Sequence, residues 1–410
     1  MNTNHIKVNV GDFQIGGEER RAINEVLDSG KITEGFKVKD FERKLAEYTG
    51  TKYAVAVNSG TSALIAGIAA LKRKNGDKWK SRKKVITTPI TYVATSNAIV
   101  LNNLEPVFVD IDPFTFSITP DNIRAHLEEA DEPEEYGAIA PVHLMGYPCD
   151  MDEINKIAKE YDLDVIEDSA QALGTLYKGR QAGSQSDISI FSFYIAHNVQ
   201  AGEMGAVVTD DLETWKLIKK IKSNGRMCDC RICTRQEGKC PKLLAYKGKD
   251  DFDPRFTHEF VGYNFKTMDF QAALALTQFK KVDWIIKQRQ ENVRYLNEGL
   301  ESFSDQIQLP AHSKDISYLA YPMVLKPESK IQRKQLREEL EKLGVETRPL
   351  FGCIPTQQPA YMHLKEEYAD KLPNADYVGH SGFYIGCHQY LTTKELDHVI
   401  ASFKKIFSSI

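Results

Sequence analysis

Through the first 220 residues, short apolar runs alternate with stretches whose apolar positions recur at helical spacing. The runs at 53–57, 85–88, 106–109, 138–142, 164–166, 188–191 and 206–208 are short and rich in Val, Ile and Ala, as buried strands are. Between them, 62–71, 152–161 and 212–221 carry the 3.6-residue period of helices packed on one face. The alternation predicts an α/β fold with a mostly parallel seven-stranded sheet covered by helices on both sides. Such sheets bind ligands at the carboxyl ends of their strands, so the residues just after each run are where chemistry belongs. Further on, a helical pattern runs from 268 to about 303, a strand pattern covers 316–324, and helices are predicted at 330–343 and 392–406. This gives a large unit, 1–275, containing a cysteine-rich segment at 226–258, and a smaller C-terminal α/β unit, 276–410.

The chain has 410 residues, long enough for two or three domains at about 150 residues each. At 42% hydrophobic and 27% charged it has the composition of a globular protein, which excludes disorder, collagen and coiled coil. A net charge of -4 gives no reason to expect nucleic-acid binding. No apolar run reaches the roughly 18 residues of a membrane helix, and the opening MNTNHIKVNVGDF has no secretory core. The chain therefore reads as cytoplasmic, where its seven cysteines are expected as thiols or metal ligands. Two charge runs stand out: eight basic residues within 72–84 and six acids within 128–135. Solvated surface is the plainer reading of both; docking of an acidic partner or a polyphosphate is the sharper reading of the first.

Three stretches sit where ligands bind. In VNSGTSAL, Gly60 permits close backbone approach, and Thr61 and Ser62 offer hydroxyls and N–H groups at a helix start, which suits a phosphate or a simple N-cap. In VIEDSAQALG, Asp168 ends a strand and can keep a cationic ring nitrogen protonated, with Gln171 three residues on. In ISIFSFYIAHNVQAGEMG, a strand ends in Ser192 and the following loop carries His197 and Asn198.

Together with GDFQIGGEERRAINEVLDSGKITEG, TTPITYVATSNAIV, PVFVDIDPFTFSITPDNI, GYNFKTMDFQAALALTQ and RPLFGCIPTQQPAYM, these stretches resemble the DegT/DnrJ/EryC1/StrS sugar aminotransferases over nearly the whole chain. The resemblance implies a fold-type I pyridoxal-phosphate (PLP) transferase fold and a homodimer with shared active sites. It implies that Thr61, Ser62 and Ser192 bind the cofactor phosphate, near Gly60. Asp168 is then the partner of the pyridine nitrogen, Tyr92 and Gln171 flank the ring, and Asn264 reaches the neighbouring subunit's cofactor.

One position departs from the aminotransferase pattern. Where those enzymes have S-F-x-x-x-K-N, this chain has Ser192, Phe193, Tyr194, Ile195, Ala196, His197 and Asn198. Imidazole cannot replace the lysine that bonds to the cofactor, yet it transfers protons well near neutral pH. The swap resembles the 3-dehydratase branch, which uses pyridoxamine phosphate (PMP) on nucleotide-linked 4-keto-6-deoxyhexoses; there the histidine is the proton-transfer base. An aminotransferase with an atypical or substituted lysine site, and a non-catalytic regulatory relative, stay open as other readings.

Cys228, Cys230, Cys233 and Cys240 are spaced C-x-C-x2-C-x6-C, a complete local ligand set for a [2Fe–2S] or [4Fe–4S] cluster or for zinc. The segment resembles iron–sulfur CDP-4-keto-6-deoxyglucose-3-dehydrases, which take electrons from a separate reductase. Those have an earlier cysteine where this chain has Ala170, so Cys233 is the candidate replacement. Arg348 is a candidate contact for substrate phosphate or carboxylate. Cys353 and the pair Cys387–His388 are expected to be buried, the histidine in the core or at the substrate site. Cys149 has no assigned role.

Overall fold

The computed structural model describes residues 7–230 and 237–409. Its centre is a sheet of Tyr53–Val57 (β1), Lys84–Thr87 (β2), Glu105–Phe108 (β3), Tyr136–Ala140 (β4), Asp164–Asp168 (β5), Ile188–Ser192 (β6) and Gly205–Thr209 (β7). Each matches an expected run, with ends displaced by no more than two residues. The order across the sheet is β1-β7-β6-β5-β4-β2-β3. The pairs among β2, β3, β4, β5 and β6 are parallel, and β7 runs antiparallel to both β1 and β6.

The two-residue period of the strands sorts their side chains between two covers. Val55, Val57, Ile188 and Ile190 pack under the helices Gly60–Lys74 and Leu212–Ile221. Ala54, Ala56 and Phe191 face the other way, against Val38, Phe41 and Leu45 of the helix Phe36–Thr49 and Ala272 and Phe279 of Asp269–Phe279. Helices on both faces leave no wet side, which is why the central strands read as continuous apolar runs.

The C-terminal unit holds a second, antiparallel sheet: Ile307–Gln308 (β8), Tyr321–Leu325 (β9), Arg348–Pro349 (β10) and Gly382–Ile385 (β11), in the order β8-β9-β11-β10. Helices Arg333–Lys342 and Thr393–Phe407 cover it. The single long helix expected at 268–303 is two helices, Asp269–Phe279 and Val282–Leu300. The chain turns at Lys280 and Lys281, whose ammonium groups bind Glu18 and Glu19 on the helix Gly17–Asp28. The apolar face continues across the break, so periodicity alone does not register it.

The N-terminal stretch is tied to the segment just before β10. Val8 pairs with Val345, with Val8 N–H donating to the Gly344 carbonyl and Glu346 N–H to the Val8 carbonyl, both at 2.8 Å. The basic run 72–84 is a brace rather than an open cationic patch. Lys74 pairs with Asp211, Lys78 with Asp164, Lys80 with Asp77, Arg82 with Asp162 and Lys84 with Glu135 of the acidic run. Lys72 and Lys83 donate to carbonyls and Arg73 lies over the Phe260 ring. No described helix is long and apolar enough to cross a membrane.

Candidate active site

The carboxyl end of β6, beside that of β5, and the start of β7 meet the N-terminus of the helix Gly60–Lys74. Two glycines make the approach close. A Cβ on Gly60 would lie 2.8 Å from the Ser192 Cβ, and one on Gly205 would lie 2.3 Å from the Ser59 carbonyl oxygen. Ser59, Gly60, Ser192 and Gly205 thus touch, and only hydrogen fits at two of the four. The N-cap is Ser59, whose Oγ accepts from Ser62 N–H at 3.1 Å. The sequence left open whether Thr61 and Ser62 cap the helix or face an anion; Ser59 is the cap and takes the Ser62 N–H, which leaves the N–H groups of Gly60 and Thr61 as the orphan donors of the first turn.

Asp168 ends β5, only 4% exposed. Thr95 Oγ1 donates to its Oδ2 at 2.8 Å and Ala170 N–H to its Oδ1 at 3.1 Å. Among the described residues no cation pairs with it, and burial holds its carboxyl above the usual carboxylate range despite those two bonds. Neighbouring Glu167 is a different case. It is fully buried, yet it accepts from His143 Nε2 at 2.7 Å, Gly183 N–H at 2.5 Å, Gln185 N–H at 3.1 Å and Ser186 Oγ at 2.9 Å. His143 uses its other ring nitrogen to accept from Cys149 N–H at 3.0 Å, so Cys149 belongs to a structural clamp. Gln171 Oε1 accepts from Met145 N–H at 2.9 Å, which leaves its amide NH2 as the free end. Tyr92 is 59% exposed and meets Phe351 edge-on at 6.0 Å.

His197 lies in the loop after β6. Its Nδ1 is 3.0 Å from the Ser192 carbonyl, an acceptor only, so Nδ1 carries the hydrogen and Nε2 keeps a lone pair. Burial lowers its pKa to about 4, with the Ser192 carbonyl opposing and Arg289 adding to the fall. The ring is therefore neutral at physiological pH. The loop 193–204 contains no lysine.

The sequence profile of the DegT/DnrJ/EryC1/StrS aminotransferase family matches residues 14–404. This chain belongs to that family. Among its relatives is the lipopolysaccharide biosynthesis protein RfbH of Salmonella typhimurium, 35% identical over 96% of this chain and 90% of that protein. Another is dTDP-4-dehydro-2,6-dideoxy-D-glucose 3-dehydratase of Saccharopolyspora spinosa, 34% identical over 94% of this chain and 83% of that one. Among solved structures, E. coli GDP-4-keto-6-deoxy-D-mannose-3-dehydratase with bound hydrated PLP superposes with a TM-score of 0.83 at 28% identity, covering 97% of this chain and 100% of that chain. The fold is the PLP-dependent transferase fold, as the resemblance implied.

Other DegT-family expectations fall away from this centre. Asn264 is exposed and bridges to Ser223 through its backbone; no described contact joins it to Asp168 or Ser192 within the chain. Cys228 and Cys230 are half-buried and Cys240 is 7% exposed. Burial and then the Cys228 thiol raise the pKa of Cys230. Cys233 lies outside the described residues, and among those described no three metal-ligating groups converge. The four-cysteine set as a whole therefore lies partly outside the described residues, and its three described members, Cys228, Cys230 and Cys240, form no such metal-ligating group. Cys353 and Cys387 are fully buried, with thiols pushed up by burial to about 12 and about 11. Cys387 and His388 follow β11 rather than lie on it. Arg348 faces Glu346 at 3.0 Å.

Sequence reasoning missed Ser59, Thr95, Met145 and Gly205. Thr95 and Ser59 sat inside quoted motifs, but a hydroxyl among several gives no sign of which one turns toward the carboxylate or the helix end. Gly205 was legible only as a strand start.

Proposed function

We propose that the chain is a PMP/PLP-dependent 3-dehydratase of a nucleotide-linked 4-keto-6-deoxyhexose, with a large unit 1–275 and a small unit 276–410. The observation that carries this reading is His197, a neutral imidazole with Nε2 bare, in a loop without lysine. The site fits the cofactor. Asp168 is a buried carboxylate with no lysine or arginine paired to it among the described residues, and the Ser59–Ser62 turn, with Ser192, offers N–H and hydroxyl groups suited to a phosphate.

Pyridoxamine phosphate, when bound, supplies an amine for the C4 ketone and a ring that draws electrons. Asp168 would hold the ring nitrogen protonated, with Thr95 orienting the carboxylate. Thr61, Ser62 and Ser192 would hold the phosphate, and Tyr92 and Gln171 would flank the ring. With Nδ1–H held on the Ser192 carbonyl, His197 Nε2 would be the base that takes a proton from the cofactor C4′ position and would return it to the C3 hydroxyl, which would leave as water. A second copy of the chain would bring its Asn264 to this site, consistent with the exposure of that side chain.

The redox-linked form of the proposal places an iron–sulfur cluster, or zinc, on Cys228, Cys230, Cys233 and Cys240, with a reductase as partner of the cluster. Its support is the spacing and the proximity of Cys228 to Cys230.

The test is H197N, with C4′ proton exchange and sugar dehydration as readouts. Loss of exchange by about a hundredfold or more, with cofactor still bound, is expected of a general base. Unchanged exchange removes the assigned role. Glutamate-dependent aminosugar formation by the wild type moves the reading to aminotransferase. Iron and sulfide analysis of anaerobically purified protein decides the cysteine segment: zinc without iron ends the electron-transfer version.

A further inference from the structure

The loop that carries His197 is closed over by one buried amide. Gln200 is fully buried, and its Nε2 donates to the Ile195 carbonyl at 2.5 Å and to the Asp12 carbonyl at 3.1 Å. Both partners are carbonyl oxygens, so the nitrogen end of the amide must face them. Among the described residues no other donor reaches either carbonyl. Ile195 and Gln200 lie on either side of His197 along the chain, so the first bond closes a ring of backbone around the histidine. The second fixes that ring to the N-terminal stretch.

That stretch is itself firmly placed. Val8 pairs with Val345, and Val10 N–H donates to Glu346 Oε2 at 2.8 Å. Asn9 passes so close to Gly386 that a Cβ there would lie 2.2 Å from the Asn9 carbonyl oxygen. Gly11 backs the residue just before His197: a Cβ on it would lie 3.7 Å from the Ala196 Cα. The other flank of the loop is held by Asn198, whose Nδ2 donates to the carbonyls of Ser317 at 3.3 Å and Leu173 at 3.4 Å.

A lysine at this position would be tethered to the cofactor by a covalent bond. An imidazole has no such tether, so its aim depends on the protein alone. Nδ1–H on the Ser192 carbonyl, at 3.0 Å, sets the turn of the ring, and the bonds of Gln200 set the loop that carries it. Packing alone would favour an apolar side chain here, because Gln200 Oε1 is buried with no partner among the described residues. We propose that Gln200 is a positioning residue for His197: by holding the Ile195 and Asp12 carbonyls together, it keeps the imidazole on the Ser192 carbonyl with Nε2 bare. This rests on the reading of His197 as the base.

The test pairs a spectroscopic with a kinetic readout on the full chain loaded with pyridoxamine phosphate. NMR of 15N-labelled histidine reports which ring nitrogen carries the hydrogen, the His197 signals being assigned by their loss in H197N. The wild type is expected to show Nδ1–H. Gln200→Met keeps the length of the side chain and removes both donors. Its His197 should exchange between the two tautomers. The C4′ proton-exchange rate at saturating pyridoxamine phosphate should fall by about tenfold or more, with the affinity for that cofactor changed by less than about twofold. A wild-type tautomer signal in folded Q200M overturns the proposal, and so does a loss of cofactor affinity with the exchange rate at saturation unchanged. Should Q200M fail to fold, Gln200→Asn keeps the amide on a side chain one carbon too short to span both carbonyls. The same tautomer exchange is expected there, and its absence overturns the proposal. The dehydratase reading fails instead if H197N exchanges C4′ protons like the wild type. The tautomer signal does not depend on that reaction, so the two failures are distinguishable.

Discussion

At the scale of single residues, two acids adjacent in sequence do opposite work. Glu167 is saturated by four donors and holds the backbone behind the site; Asp168 has two and keeps capacity for a ligand. Thr95→Val tests how far that capacity is tuned. Removing the 2.8 Å donor leaves a buried carboxylate oxygen short of one bond, a cost of about 1–3 kcal/mol. PLP affinity, read by absorbance titration, should fall by about tenfold or more. Burial raises the folded-state pKa of Asp168 above its unfolded value, so the stability this group contributes is present below the unfolded value and is lost as pH rises through the folded one. The thermal midpoint of cofactor-free protein should therefore fall with rising pH across that window. In T95V the window should extend further upward, because the Thr95 bond lowers the pKa.

At the scale of elements, the site depends on how closely one helix end can approach one strand end. The first turn of Gly60–Lys74 lies on Ser192 because Gly60 has no side chain. Gly60→Ala puts a methyl 2.8 Å from the Ser192 Cβ, an overpacking that costs about 1–3 kcal/mol. The helix should shift rather than unfold. The expected result is a modest drop in thermal midpoint with a larger loss of PLP affinity than of affinity for pyridoxal lacking phosphate; equal loss for both would argue against a phosphate cradle here. Element by element, the sequence was most readable where one periodicity dominates, as in the seven strands and the helix Leu212–Ile221. It was least readable at 280–281, where ion pairs to Glu18 and Glu19 attend a turn that the apolar pattern crosses without interruption.

At the scale of the whole molecule, the largest apolar core among the described residues takes in strands of both sheets. It runs from Val8 through Ile86, Ile139 and Leu144 to Met323, Phe383 and Phe403. A core shared in this way couples the two sheets. Circular dichroism and tryptophan fluorescence should therefore report one coincident denaturant transition; two separated transitions would show that the small unit unfolds alone.

Spacing and residue type along the chain were enough to read the strand and helix periodicities, hence the mostly parallel sheet, the positions of Asp168 and Ser192 at strand ends, and the histidine where the family pattern has lysine. Those are properties of spacing and residue type along one chain. Packing in three dimensions settled which hydroxyl caps the helix, which donor faces Asp168, which ring nitrogen of His197 is bare, and that the buried Arg289 donates to Gln389 and two carbonyls with no acid paired to it among the described residues. Each of these depends on atoms brought together from distant parts of the chain, such as Thr95 with Asp168 or Arg289 with Gln389. No local pattern encodes such a pairing, because it follows from the packing of whole elements.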